Sequence, residues 1–167
     1  MKSRLTIILL VMVLAGSNSK TQETNNMDDQ KDRTNDTSSV VDTTTPKVTG
    51  IGGIFFFSDD PQKTKEWYGQ NLGLEINDFG SIFESRNVNN PDEINQLVWS
   101  PFKKESDYFS PSKKEYMINY RVQNIEALVN KLKDSGVTVL DTIATYEYGK
   151  FVHILDPEGN KIELWEP

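Results

Sequence analysis

The chain has 167 residues, of which 36% are hydrophobic and 26% charged, with a formal charge of −7, one histidine and no cysteine. That length provides about one domain, at roughly 100 to 200 residues each, and the missing thiols exclude disulfide frameworks, cysteine nucleophiles and thiolate metal sites. No cluster of Lys and Arg is interleaved with stacking aromatics, and net negative charge repels phosphate, so a nucleic-acid partner is excluded.

In chain order, Lys2 and Arg4 precede an apolar run from Leu5 to Ala15, followed by the small residues Gly16 and Ser17. The run is too short to span a bilayer of roughly 30 Å. A basic start, a short apolar stretch and small residues predict a signal peptide over 1–17, cleaved after Ser17, for an exported protein of a bacterial periplasm, envelope or medium. A retained interfacial anchor is the alternative. Leu14-Ala15-Gly16-Ser17 also resembles a lipoprotein signal, but Ser17 stands where lipid attachment needs Cys. Residues 18–47 hold only Met27, Val40 and Val41 as apolar side chains. With nothing to bury, this Thr/Asn/Asp-rich stretch reads as a disordered tether.

All three Trp, all six Tyr and all eight Phe fall in residues 48–167, the predicted domain. Its signals run twice in the same order. The first module, 48–102, opens with the strand Gly53-Ile54-Phe55-Phe56-Phe57. Asp59-Asp60-Pro61 then supplies a helix cap and a Pro for the first turn, and the helix through Trp67 and Tyr68 stops at Gly73. Strands are predicted around Leu74–Asn77, Ile82–Arg86 and Gln96–Trp99. A polar linker around Lys103 to Lys114 follows. The second module, 115–167, opens with a strand over Tyr116–Val122. Asn124 caps a helix with Ile125, Leu128, Val129 and Leu132 on one stripe, stopping at Gly136. Strands follow around Val137–Leu140, Phe151–Leu155 and Lys161–Trp165, the last two joined by the turn sequence Asp156-Pro157-Glu158-Gly159-Asn160.

This repeat, with Trp67-Tyr68, Leu72-Gly73-Leu74 and the segment Asp156 to Leu164, resembles the vicinal oxygen chelate superfamily of glyoxalases, bleomycin resistance proteins and extradiol dioxygenases. The resemblance covers residues 50–167. It implies an α+β fold, two βαβββ modules forming a curved mixed sheet, or cup, with the helices outside. Small members of the family pair as dimers, so a homodimer is a further expectation. The resemblance also implies four inward metal-ligand positions, at the first and last strand of each module. By motif alignment these are Gly53, Leu97, Met117 and Glu163. Only Glu163 can bind a hard or borderline divalent ion, and adding His153 makes two donors where metals take three or four from protein. The metal site therefore reads as largely lost, and no cofactor is predicted.

Strand alternation carries these positions outward to a list of cup residues. Phe55, Phe57, Trp99, Asn119, Arg121, His153, Glu163 and Trp165 are predicted to face the ligand, with Tyr146 and Tyr148 at the rim. An aromatic cup with a few polar groups suits a small aromatic or anionic molecule, with Arg121 forked to its acid group or paired with Glu163. His153 and Glu163 are the candidates for acid–base work, with no third group to complete a site. Three readings stand at this point: a secreted binding protein of the bleomycin-resistance type, a metal-dependent lyase, isomerase or dioxygenase of the glyoxalase type, and a protein-interaction module whose cup is filled by its own aromatics. The first is favoured, and with it binding over catalysis.

Overall fold

The computed structural model describes residues 44–167, so the predicted signal peptide and nearly all of the predicted tether lie outside the described residues. Among those described, no helix is long and apolar enough to cross a membrane. The first module contributes β1 (Lys47–Ser58), α1 (Pro61–Leu72), β2 (Ser81–Arg86) and β3 (Ile94–Lys103). The second contributes β4 (Tyr116–Gln123), α2 (Ile125–Asp134), β5 (Ala144–Tyr146), β6 (Gly149–Leu155) and β7 (Lys161–Glu166).

These strands make one seven-stranded mixed sheet in the order β2-β3-β1-β4-β7-β6-β5. The modules join at its centre, where β1 and β4 pair antiparallel. Each module repeats the same internal pattern, β1 parallel to β3 and β4 parallel to β7. The fold is α+β, as the repeat predicted.

Both helices form for the reasons written in their ends. The Asp60 side chain accepts from the Lys63 amide at 3.1 Å, with Pro61 in the first turn where its missing N–H costs nothing. Gly73 closes α1 at φ 71°, a left-handed conformation that a residue without Cβ adopts freely. Asn124 caps α2 by accepting from Ala127 at 3.3 Å. The apolar stripe of α2 then buries Ile125, Leu128 and Val129 against Val122, Val152, Ile154 and Leu164 of the sheet. This outer-face cluster is one of two cores. The other lies on the inner face where the modules join, with Phe55 of β1, Met117 of β4 and Phe109 of the linker buried together.

Two strand expectations are corrected and one strand is added. Residues Leu74–Asn77 form no strand; the Asn77 side chain instead accepts from the amides of Phe79 and Gly80, both at 2.9 Å, and bends the chain. Val137–Leu140 is reduced to a single bridge, Val139 to Ile154. The short strand β5 is an addition at the sheet edge, paired with β6.

Candidate functional site on the inner face of the sheet

Glu163 lies at the middle of the inner face, 3% exposed. Antiparallel pairing sets it opposite His153 on β6, and parallel pairing sets it opposite Asn119 on β4. His153 Nε2 lies 3.0 Å from Glu163 Oε2, and Asn119 Nδ2 donates to Glu163 Oε1 at 2.7 Å. The Tyr108 hydroxyl donates to Oε2. Behind His153 stands Asp141, whose Oδ2 is 2.6 Å from Nδ1 and whose Oδ1 accepts from the His153 amide at 2.8 Å. The result is a carboxylate–imidazole–carboxylate row running inward from half-exposed Asp141.

The electrostatics follow from these bonds. Burial alone would make the Glu163 carboxyl a weaker acid, but its contacts with His153, Tyr108 and Asn119 overcome burial and hold it below its ordinary value. Burial would likewise depress His153, yet the hydrogen bonds to Asp141 and Glu163 carry it above its ordinary value. The two carboxylates therefore favour the protonated imidazole between them. Burial and then the Glu163 charge push the Tyr108 phenol upward, so it stays a neutral donor. Lys161 is drawn down by burial against the pull of Asp141 and Glu163, and its ammonium donates to the Tyr108 carbonyl at 2.6 Å.

The positions where the resemblance implies metal ligands are short of hard donors. Gly53 and Met117 offer no hard donor, and Glu163 spends its oxygens on Tyr108, His153 and Asn119. Among the described residues no group of three or more His, Asp or Glu side chains is placed to hold a metal.

Most of the predicted cup residues share this face. Phe55 packs with buried Met117 and lies 5.5 Å from Phe102, while Phe57 stacks on Phe109 at 4.3 Å. Trp165 runs nearly parallel to Phe151, at 13°, and the ring of Phe151 meets Tyr146 and Tyr148 edge-on. Trp165 lies across β1 at Gly52, where a Cβ would stand 2.7 Å from its ring. Arg121 crosses the same strand at Gly50, a Cβ there falling 2.9 Å from its guanidinium. Arg121 does not pair with Glu163; its Nε donates to Thr49 Oγ1 at 3.4 Å.

Trp99 is the exception and is corrected. It lies on the outer face, 4.6 Å from Tyr68 of α1 and 5.2 Å from Phe56. The parallel register sets Trp99 beside Ile54 and Ser100 beside Phe55, so Val98, Ser100 and Phe102 point inward. Aligning Trp99 with Trp165 places β3 one residue out of register, and a one-residue slip exchanges the faces of a strand. Leu97 therefore leaves the ligand-position list. The β3 position paired as Glu163 is with Asn119 holds Ser100, which donates to the Phe79 carbonyl at 2.6 Å.

Three site residues escape strand logic: Tyr108, Phe109 and Asp141. The linker between the modules turns inward so that Phe109 is 1% exposed and Tyr108 stacks on Phe102 at 5.2 Å. The one signal in the sequence is an adjacent aromatic pair inside an otherwise polar stretch.

Comparison with known proteins is consistent with this geometry. The sequence model of the Glyoxalase/Bleomycin resistance protein/Dioxygenase superfamily matches residues 50–164. The chain belongs to that superfamily. Among solved structures, a Streptomyces coelicolor methylmalonyl-CoA epimerase variant in complex with 2-nitronate-propionyl-CoA is similar with TM-score 0.53 and 16% identity, over 72% of this chain and 98% of that one. The Mn(II)-bound glyoxalase from Novosphingobium aromaticivorans is similar with TM-score 0.51 and 15% identity, over 73% of this chain and 40% of that one. At these identities the likeness concerns the fold alone. Comparison with curated protein sequences found no match.

Proposed function

We propose that the protein is an exported, small-molecule-binding member of the superfamily that takes an aromatic anion on the inner face of its second module, without a divalent metal and without transforming it. The observation that carries this reading is Arg121. The residue is 7% exposed, yet among the described residues its guanidinium forms no ion pair, and its one side-chain hydrogen bond goes to a hydroxyl. Glu93 acts on it only from beyond ion-pair distance, and burial outweighs that charge; a buried cation without a close counter-charge is costly. A ligand carboxylate forked onto it removes that cost.

The surroundings support the same chemistry. Trp165 is the direct β7 neighbour of Arg121, and with Phe151 it offers a wall for a planar group. Asn119 Oδ1 is buried with no hydrogen-bond partner among the described residues, an unsatisfied acceptor beside Trp165 and Gly52. Binding without turnover is supported by His153 and Glu163, which are hydrogen-bonded to each other and to Asp141, Tyr108 and Asn119. Export rests on the sequence from Lys2 to Ser17.

A thermal-shift and titration screen with aromatic carboxylates and phosphonates tests this reading. The wild type is stabilised in proportion to occupancy, and Arg121→Ala loses at least about tenfold in affinity, as expected for a charged fork. Equal binding by wild type and variant overturns the assignment. Stoichiometric Zn, Ni, Mn or Fe in protein purified without chelator overturns the metal-free part. A second reading, an interaction module with a filled cup, is favoured by the burial of Phe109; it predicts that no compound in the screen shifts the melting temperature.

A further inference from the structure

Tyr108 is held as a ligand would be. Its ring is nearly parallel to Phe102, at 10°, and meets His153 edge-on at 88°, with centroids 5.2 and 5.7 Å away. Lys161 Nζ stands 5.0 Å from its centroid, within cation–π range. Its hydroxyl donates to the buried carboxylate of Glu163. Each of these contacts needs only a flat ring with a hydroxyl at one end, and none needs the tyrosine backbone. The main chain adds two bonds, from Lys161 to the Tyr108 carbonyl and from the Tyr108 amide to Ser106 Oγ within the same segment at 3.2 Å.

The segment carrying it is anchored at Phe109, while Tyr108 beside it is only partly buried. Residues 104–115 form neither helix nor strand, and only Phe109 within them is buried. At its ends the Lys104 amide donates to Ser58 and the Phe57 amide donates to Glu115, at 3.1 and 2.8 Å. Between those points the stacked rings of Tyr108 and Phe109, with the Lys161 bond, fix it to the sheet. The Glu163 carboxylate, by contrast, is fixed in the sheet and requires a donor at Oε2 whether or not the segment is there.

We propose that Phe102, His153, Lys161 and Glu163 form a receptor for a phenolic ring, which the chain fills with its own Tyr108 until a ligand carrying a phenol displaces that ring, Phe109 staying in the core. This rests on the reading of the inner face as a ligand site and names a ligand class for it: a hydroxyaryl compound, with its hydroxyl on Glu163. Tyr108 is then a tethered competitor. It lowers the apparent affinity for free phenols by the fraction of molecules in which its ring is in place.

The test is titration of the full chain with p-cresol, the Tyr side chain as a free molecule, and with its methyl ether, which cannot donate. In Tyr108→Ala, p-cresol binds about ten- to a hundredfold more tightly than the ether, the range for a hydrogen bond to a charged acceptor. Wild type binds p-cresol at least about tenfold more weakly than Tyr108→Ala, because it must first expel its own ring. Tyr108→Phe keeps the ring in the fold but loses the bond to Glu163, so it binds p-cresol more tightly than wild type. A tyrosine with a purely structural role predicts the reverse, since loosening its contacts then weakens the site. Equal affinity of Tyr108→Ala for p-cresol and its ether overturns the receptor, and Tyr108→Phe binding no tighter than wild type overturns the competition. If either fails while Arg121-dependent binding of aromatic anions persists, the binding function stands without this ligand class; if both kinds of binding fail, the inner face is no ligand site.

Discussion

The two modules of the sheet put their apolar cores on opposite faces. The second buries its outer face under α2, with Ile125 fully buried and Leu128, Val129, Val152, Ile154 and Leu164 around it. The first has no buried residue on α1, and its helix leaves Trp67 and Leu72 more than half exposed. Its core is on the inner face instead, where Phe109 of the linker closes over Phe55 and over Met117 of the adjoining strand β4. A module held together from outside can leave its inner face polar, and that is where Asn119, Arg121, His153 and Glu163 are found. A module held together from inside has given its half of the cup to its own side chains. The repeat thus divides the work: one half is packed by the linker, and the other keeps the chemistry.

This division can be broken at its strongest points first. Phe109→Ala should cost about 3–5 kcal/mol in chemical denaturation, the range for a fully buried Phe, although it lies in a loop. Ile125→Ala should cost about 2–5 kcal/mol by the same measurement. A loss below about 1 kcal/mol at Phe109 would mean that the linker does not carry the first core.

Next in size is a pH effect confined to the second module. Glu163 is held below its ordinary 4.5, so its contribution to stability is complete above that value and lost as pH falls through the depressed one. His153 is raised above 6.5, so its contribution is complete below that value and lost as pH rises through the elevated one. Both are complete between about 4.5 and 6.5, and melting temperature should be highest there. His153→Gln should remove the alkaline arm; an unchanged arm would show that another group sets it. The smallest effect belongs to α1, where Trp67→Ala should change stability by at most about 1 kcal/mol, since its side chain is half in water. A loss as large as that of Ile125→Ala would erase the contrast between the two helices.

How much of this was legible before the fold depended on the range of the forces involved. The caps at Asp60 and Asn124, the stop at Gly73 and the turn at Asp156 are satisfied by neighbours within a few residues, so they read directly from the chain. Strand alternation placed Phe55, Asn119, Arg121, His153, Glu163 and Trp165 on one face because the period is internal to each strand. It failed for Trp99 because the face of β3 is set by which β1 residue it pairs with, and motif similarity at the strand ends is not pairing.

The sequence by itself therefore determined the repeat and the family, both of which rest on residue type and local spacing. Only the tertiary structure decided that β1 and β4 fuse the modules into one sheet, that Asp141 backs His153, and that Tyr108 reaches Glu163. Those contacts join residues 12, 55 and more positions apart. Loop side chains have no period from which their direction could be read, and a buried carboxylate draws in whichever donor the assembled sheet brings within reach.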